Sequence, residues 1–361
     1  MKITVCGDVS IPASNDLFRK GRTAELFGDV PSIFSDSDRV LINLECALTD
    51  KDTPIAKKGP NIKGTPLAAR VFREVGITDC GLSNNHIFDY GYDGIKDTVA
   101  ALDAAGISYT GFGKNYEDSR KPLIMENDST RVAIIAVCEH EYCYALEARA
   151  GARPFDPFDT IEDIRRAKEE NDFVVVTYHG GKEECRYPSP RLMKACRAMV
   201  RAGASAVLCQ HSHCIGCYEE YEGGHILYGQ GNFHFTGFRD NPTWKNGLAV
   251  TLTFGEKIKI ELIPISVNGL GIELSKGEER NTVIRELEER NQELKSGAWI
   301  DGWAKFCEST KERYLGNITR VFTEKAEPGD EELFCGRMHC EAHKDVIDWL
   351  CKHPWEQRRE P

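Results

Sequence analysis

The sequence has no excess of basic residues: 46 lysines and arginines stand against 57 aspartates and glutamates, a formal net charge of -11. Nucleic acid and anionic lipid attract basic surfaces, so neither a nucleic acid nor a membrane is expected as a partner. Long apolar runs are absent as well. The longest, 132–137 and 204–209, have the length of strands and fall far short of the roughly 20 residues of a membrane span. The opening residues MKITVCGDVS lack the basic and apolar segments of an export signal, so a cytoplasmic location is expected. The tail after Gly271 shows no internal repeat and no low-complexity tract. Cysteine, in contrast, is plentiful at fourteen, but the spacing is scattered and reduced thiols are expected. Cys6, Cys138 and Cys209 fall inside apolar strand patterns, where a thiol behaves as a small core hydrophobe.

A chain of 361 residues exceeds the size at which a single core stops growing, so one large domain with an appendage is expected. Short apolar runs alternate with amphipathic segments up to about Pro264, the pattern of an α/β fold. Strands are expected at 3–6, 39–44, 77–82, 131–138, 173–178, 204–209 and 226–228. One helix opens at Thr65-Pro66 and carries Leu67, Val71, Phe72 and Val75 at helical spacing. A second runs over about 92–105 and stops at Gly106, and a third opens at Asp159 or Thr160 and ends near Glu170. Two strands over 248–264 read as a hairpin turning at Gly255-Glu256. Beyond Gly271 the chain becomes charged and helical, with Ile284, Leu287 and Leu294 as a thin apolar stripe. The division expected is a domain over 1–270 and a helical C-terminal extension over 271–361.

Chemistry concentrates at the ends of the expected strands. In open α/β sheets ligands collect outside the carboxyl ends of strands, where residues distant in sequence converge. Asp8 follows Gly7 after the first strand, and Glu45 closes Asn43-Leu44-Glu45 after the second. Taken singly, Gly7-Asp8 reads equally well as a turn and Glu45 as a surface carboxylate. The stretch Asn84-Asn85-His86 with Asp89 is more specific, since it packs two amides, an imidazole and a carboxylate into six positions between a strand and a helix. Its ordinary alternative is a turn capping the next helix. His179 ends an almost wholly apolar strand and precedes Gly180-Gly181, which clear space for a ligand. His211 and His213, at i and i+2, point differently and suit two neighbouring cations. Weaker metal candidates are Cys214-Ile215-Gly216-Cys217 and the C-terminal set Cys335, His339, Cys340, His343 and Cys351.

On these motifs the chain resembles the bacterial CapA family, the poly-gamma-glutamate capsule biosynthesis proteins, over residues 2–235. The shared features are Gly7-Asp8, Asn43-Leu44-Glu45, Asn84-Asn85-His86 with Asp89-Tyr90-Gly91, and Gly231-Asn232-Phe233. The family's His-Trp-Gly-x-Glu stands here as His179-Gly180-Gly181-Lys182-Glu183, without the tryptophan, and its His-Pro-His as His211-Ser212-His213. The resemblance implies a calcineurin-like metallophosphoesterase fold, a layered α/β sandwich with two mixed β-sheets flanked by helices. It implies one cation on Asp8, Glu45 and His213 and another on Glu45, Asn85, His179 and His211, drawn from Mn, Fe, Zn or Mg. His86 and Asp89 are then the catalytic candidates, and Asn84, Glu183, Arg186 and Asn232 the substrate-binding ones. Many metallophosphoesterases carry Asp-x-His at the first motif; Asp8-Val9-Ser10 departs from it and leaves the count at one ion or two.

The expected activity is hydrolysis of a phosphoester, in a small-molecule or polymeric anionic substrate, by a metal-activated water. The alternative is an accessory protein of anionic-polymer biosynthesis that binds or cleaves polymer without phosphatase activity. A metal-free binding module is the third reading, and it predicts no stoichiometric metal in the purified protein.

Overall fold

Period-two alternation explains the start of the first strand, β1 (Lys2–Ser10): Ile3 and Val5 face a core between two sheets and Cys6 faces the other way towards helices, and an irregularity in register after Val5 turns Val9 to the side of Cys6. The computed structural model describes residues 1–237 and 242–351. Further strands in chain order are β2 (Arg39–Leu44), β3 (Asp79–Gly81), β4 (Ser108–Thr110), β5 (Leu123–Asn127), β6 (Thr130–Cys138) and β7 (Phe173–His179). There follow β8 (Ala206–Gln210), β9 (Tyr218–Tyr221), β10 (Gly224–Leu227), β11 (Asn232–Phe235), β12 (Asn246–Thr253), β13 (Lys259–Asn268) and β14 (Gly271–Leu274).

One sheet has the order β14-β13-β12-β1-β2-β3-β4, with β11 pairing on β1; the other has the order β9-β10-β8-β7-β6-β5. Both are mixed. In the first sheet β1, β2, β3 and β4 run parallel and β12 to β14 antiparallel, and in the second β6, β7, β8 and β10 run parallel between antiparallel edges. Ile3, Val5, Leu41 and Val250 of the first sheet meet Val132, Ile134, Val175 and Leu208 of the second in the central core. The outer faces are covered by helices, so β6 and β7 are buried on both sides and read as continuous apolar runs. This is the layered α/β sandwich, two mixed β-sheets flanked by helices, that the resemblance implies.

The helices follow their expected signals with local differences. α1 (Ala68–Glu74) begins after Thr65-Pro66, with Leu67 exposed at its N-cap and outside the buried stripe. α2 (Gly91–Ala105) is in place, and Gly106 closes it at φ 66°, a left-handed residue suited to glycine. α3 (Pro157–Glu170) starts earlier than expected, because the Asp156 carboxylate accepts from the amides of Phe158 and Asp159 and Pro157 occupies the first turn. The connection between β12 and β13 is five residues, 254–258, longer than a two-residue turn. α4 (Pro190–Ala202) covers the second sheet.

The C-terminal part is helical: α5 (Gly277–Ser296), α6 (Trp299–Val321), α7 (Asp330–His339) and α8 (Glu341–Leu350), with residues 352–361 outside the described set. The buried stripe of α5 is Val283, Leu287 and Leu294, while Ile284 stays half-buried; Val283 and Leu287 share a face at i and i+4. Trp303, Cys307, Tyr314, Val346 and Ile347 form a separate small core that also takes in Cys185. Among the described residues no helix is long and apolar enough to cross a membrane. All fourteen cysteines are free, and twelve are buried.

Candidate metal centre

Register brings the motifs together. Asp8 lies opposite Asn43 across β1 and β2, Asn43 opposite Gly81, and His179 opposite Gln210 across β7 and β8. The carboxyl ends of both sheets therefore open on one edge. Asp8 sits within β1 and not on a turn, and Gly7 is required for another reason. A side chain there would collide with the carbonyl oxygen of Gly231. Gly180 likewise makes room for the Glu139 side chain, which a Cβ would meet at 2.7 Å.

Two groups of ligand atoms share Glu45. Atoms of Asp8, Glu45 and His213 lie within 4.8 Å of one another, as do atoms of Glu45, His179 and His211. His179 Nε2 is 3.5 Å and His213 Nε2 3.9 Å from Glu45 Oε1; His179 Nδ1 and His213 Nδ1 are each 3.6 Å from Asp8. Asn85 joins the second group, with its Oδ1 3.0 Å from His179 Nε2. His211 and His213 hold φ of 78° and 52°, left-handed backbone that side chains beyond Cβ disfavour. Such strain persists where the surroundings over-determine it, and functional sites are where it clusters.

Neighbours fix these groups in place. The Asn43 amide donates to Asp8 at 2.7 Å and lies 2.9 Å from His179 Nδ1, and the His211 amide donates to Asp8 at 2.9 Å. Asn232 Oδ1 is 2.9 Å from His213 Nδ1, and Trp244 stacks on the same ring at 4.2 Å. Asn84 is fully buried and donates to Asn43 Oδ1 and the Leu44 carbonyl, so it braces the strand-end loops.

The fit of a cation can be tested on Glu45. It is fully buried, yet among the described residues neither of its oxygens has a hydrogen-bond partner. An ionised carboxylate without water or donor is costly, and a cation between it and the imidazoles removes the cost. The imidazoles respond to the same charge. Burial works against a proton on His179, but Glu45 and Asp8 outweigh it and push the pKa up to about 10. Burial and the neighbouring His179 hold His211 well below the usual imidazole range. The pocket thus draws a positive charge to its centre. The Ser10 hydroxyl is also buried and without a partner among the described residues.

Beside this centre opens a cavity of about 740 Å³ lined by Lys57, Lys58, Asn85, His86, Glu141 and Glu183, and by Arg337, His339 and His343 of the C-terminal helices. His86 Nδ1 is 2.6 Å from Asp89 Oδ2, and Lys57 pairs with the other oxygen of that fully buried carboxylate. Glu183 is paired with Lys182 at 3.2 Å, and that ammonium holds its carboxyl well below the usual range. Arg186 is not brought to the cavity: it pairs with Glu286 of α5 at 2.6 Å, on another side of the loop after β7. Cys335 and Cys351 are exposed, so the C-terminal cysteines and histidines do not form one cluster among themselves.

Glu139 and Glu141 escaped notice in the sequence although the signal was there, an acidic pair directly after the apolar run of β6. Glu141 accepts from the Asn85 amide at 3.1 Å, and its other oxygen is 3.7 Å from His211 Nε2. Burial and Glu183 raise its pKa.

Comparison with known proteins bears on the family of the chain. The capsule biosynthesis protein CapA of Bacillus anthracis is 30% identical over 245 residues, 65% of this chain and 60% of that protein. The PGA biosynthesis protein CapA of Bacillus subtilis (strain 168) is 30% identical over 214 residues, 58% of this chain and 56% of that protein. The chain thus spans less than two thirds of these relatives. A solved structure described as a novel phosphatase, from Mycoplasma pneumoniae, aligns over 74% of this chain and 94% of that chain at 14% identity and a TM-score of 0.48, too low to carry an argument. The model of the bacterial capsule synthesis protein PGA_cap family matches residues 2–236, and the chain belongs to that family.

Proposed function

We propose that the chain is a divalent-metal-dependent hydrolase of phosphoester type. The observation that carries the reading is Glu45, a fully buried carboxylate with both oxygens lacking hydrogen bonds among the described residues, set between His179 and His213. Asp8, Glu45 and His213 would hold one cation, and Glu45, Asn85, His179 and His211 the other. When bound, Mn, Fe, Zn or Mg supplies a Lewis acid and a water of lowered pKa at the cavity floor. Asn43, Asn232 and the His211 amide keep the ligands oriented. Asp89 clamps His86 through Nδ1, which leaves Nε2 as the atom that can give a proton to a leaving group. Lys57 neutralises Asp89. Lys58 and Arg337 place positive charge on a cavity wall that also carries Glu331 and Glu332, so the bound cations would supply most of the attraction for an anionic substrate.

The test is turnover of phosphoesters by chelator-stripped protein with and without added Mn or Fe. His211→Ala and Asn85→Ala should each abolish the metal-dependent rate; undiminished rates in both variants refute the reading. Membership of the PGA_cap family supports a second reading, an accessory role in anionic-polymer biosynthesis in which polymer is bound or its amide cleaved. Release of glutamate rather than phosphate from candidate substrates would favour it.

A further inference from the structure

We infer that Glu141, Cys340 and His343 form a further cation site, of the zinc class, between the C-terminal helices and the main α/β body. This goes beyond the hydrolase reading and does not depend on it. One ligand atom from each residue lies within 4.8 Å of the others. Cys340 precedes α8 and His343 is in its first turn, so the Cys-x-x-His spacing sets both side chains on the face that meets the loop after β6.

What distinguishes these three is that the Cys340 thiol makes only long contacts and that Glu141 and His343 each use one ligand atom in a short hydrogen bond and keep the other out of one. Cys340 is 1% exposed, and its thiol has only long contacts, 3.9 Å to Glu141 Oε1 and 4.0 Å to Glu139 Oε2. Glu141 spends Oε2 on the Asn85 amide, which leaves Oε1 towards the thiol. A neighbouring group of Glu139, Cys340 and Glu341 has similar spacing, but its carboxylates are engaged. Glu139 takes Arg191, the Tyr178 hydroxyl and the Ala342 amide, and Glu341 takes His140. Those contacts, with Arg191 on Asp345 at 2.9 Å, dock α8 by themselves and hold the ligand groups ready. The His343 ring is fixed through Nδ1, 2.6 Å from the Tyr314 hydroxyl.

The ligand chemistry selects the metal. Thiolate and imidazole suit zinc, whereas a single carboxylate is too few oxygens for Mg or Ca. Bonds of about 2.3 Å to sulfur and 2.0 Å to nitrogen or oxygen put tetrahedral ligand atoms about 3.5 Å apart. The 3.9 Å between Cys340 Sγ and Glu141 Oε1 needs only a small adjustment to reach that. Lys182 lies close enough to act on both Cys340 and His343, so an ion here must be held by strong ligand bonds and not by net negative charge.

Cobalt(II) reports thiolate ligation through near-ultraviolet charge-transfer absorption. Full-length protein, stripped with a chelator and reloaded with cobalt, should show that band. Cys340→Ser should lose the band and one equivalent of metal per chain, His343→Ala should lose the equivalent, and Cys351→Ser at an exposed position should keep both. Absence of the band from the unsubstituted protein overturns the inference whatever the variants do. So does a Cys340→Ser protein that keeps the band and the full metal content. If Cys340→Ser does not fold, His343→Ala decides, with loss of the equivalent expected and its retention overturning the inference.

Discussion

Replacing Glu45 with Gln separates the energetics of the empty and loaded protein. The substitution keeps the shape and removes a charge that is fully buried and without a hydrogen bond among the described residues. A buried unsatisfied polar group costs about 1–3 kcal/mol, and more when charged. In chelator a proton on His179 beside Glu45 offsets part of that cost, so Glu45→Gln is expected to match the unsubstituted protein or to exceed it by less than about 3 kcal/mol. With metal the order reverses. A ligand at a hundred times its dissociation constant stabilises the native state by about 2.7 kcal/mol, a gain the variant would forfeit if Glu45 is among the groups that hold the cation. The assay is the denaturant midpoint of both proteins in chelator and in excess Mn. Crossing of the two pairs of midpoints is expected. A variant less stable than the parent by the same amount in both conditions refutes the reasoning, because Glu45 would then be an ordinary structural carboxylate.

Other substitutions probe other links. His86→Ala should lower the metal-dependent rate by about 10² to 10⁴ with metal content unchanged, as expected for loss of a proton donor; lost metal would reassign His86 to the ligand set. Gly7→Ala should destabilise the protein by at least about 1–3 kcal/mol and lower its metal content, since the clash is with backbone at Gly231 beside Asp8. Thermal melting with metal analysis checks both. Asp163→Ala should cost about 3–5 kcal/mol, because it strands the guanidinium of Arg153, which is 2% exposed and bonded to Asp163 at 2.7 Å. Equilibrium unfolding in denaturant measures that loss.

The sequence by itself determined the strand cores and the inventory of the centre. Strands such as β6 and β7 are buried on both faces, so their composition is apolar without interruption and visible in one dimension. Glu45, His179, His211 and His213 stand at or just past the ends of apolar strands, Asp8 lies within one and Asn85 follows a short strand, so their types were legible in one dimension but their proximity was not. Capping was partly legible: Gly106 was, but Asp156 was hidden behind the equally plausible Asp159. Only tertiary structure decided what depends on register and on long-range approach. The reason for Gly7 lies in a carbonyl more than two hundred residues away, and the bond of Asn43 to His179 joins the two sheets. Arg186 is close in sequence to His179, yet the loop turns it to α5. The same physics brings Cys340 and His343 from the end of the chain against Glu141, a meeting that no local periodicity encodes.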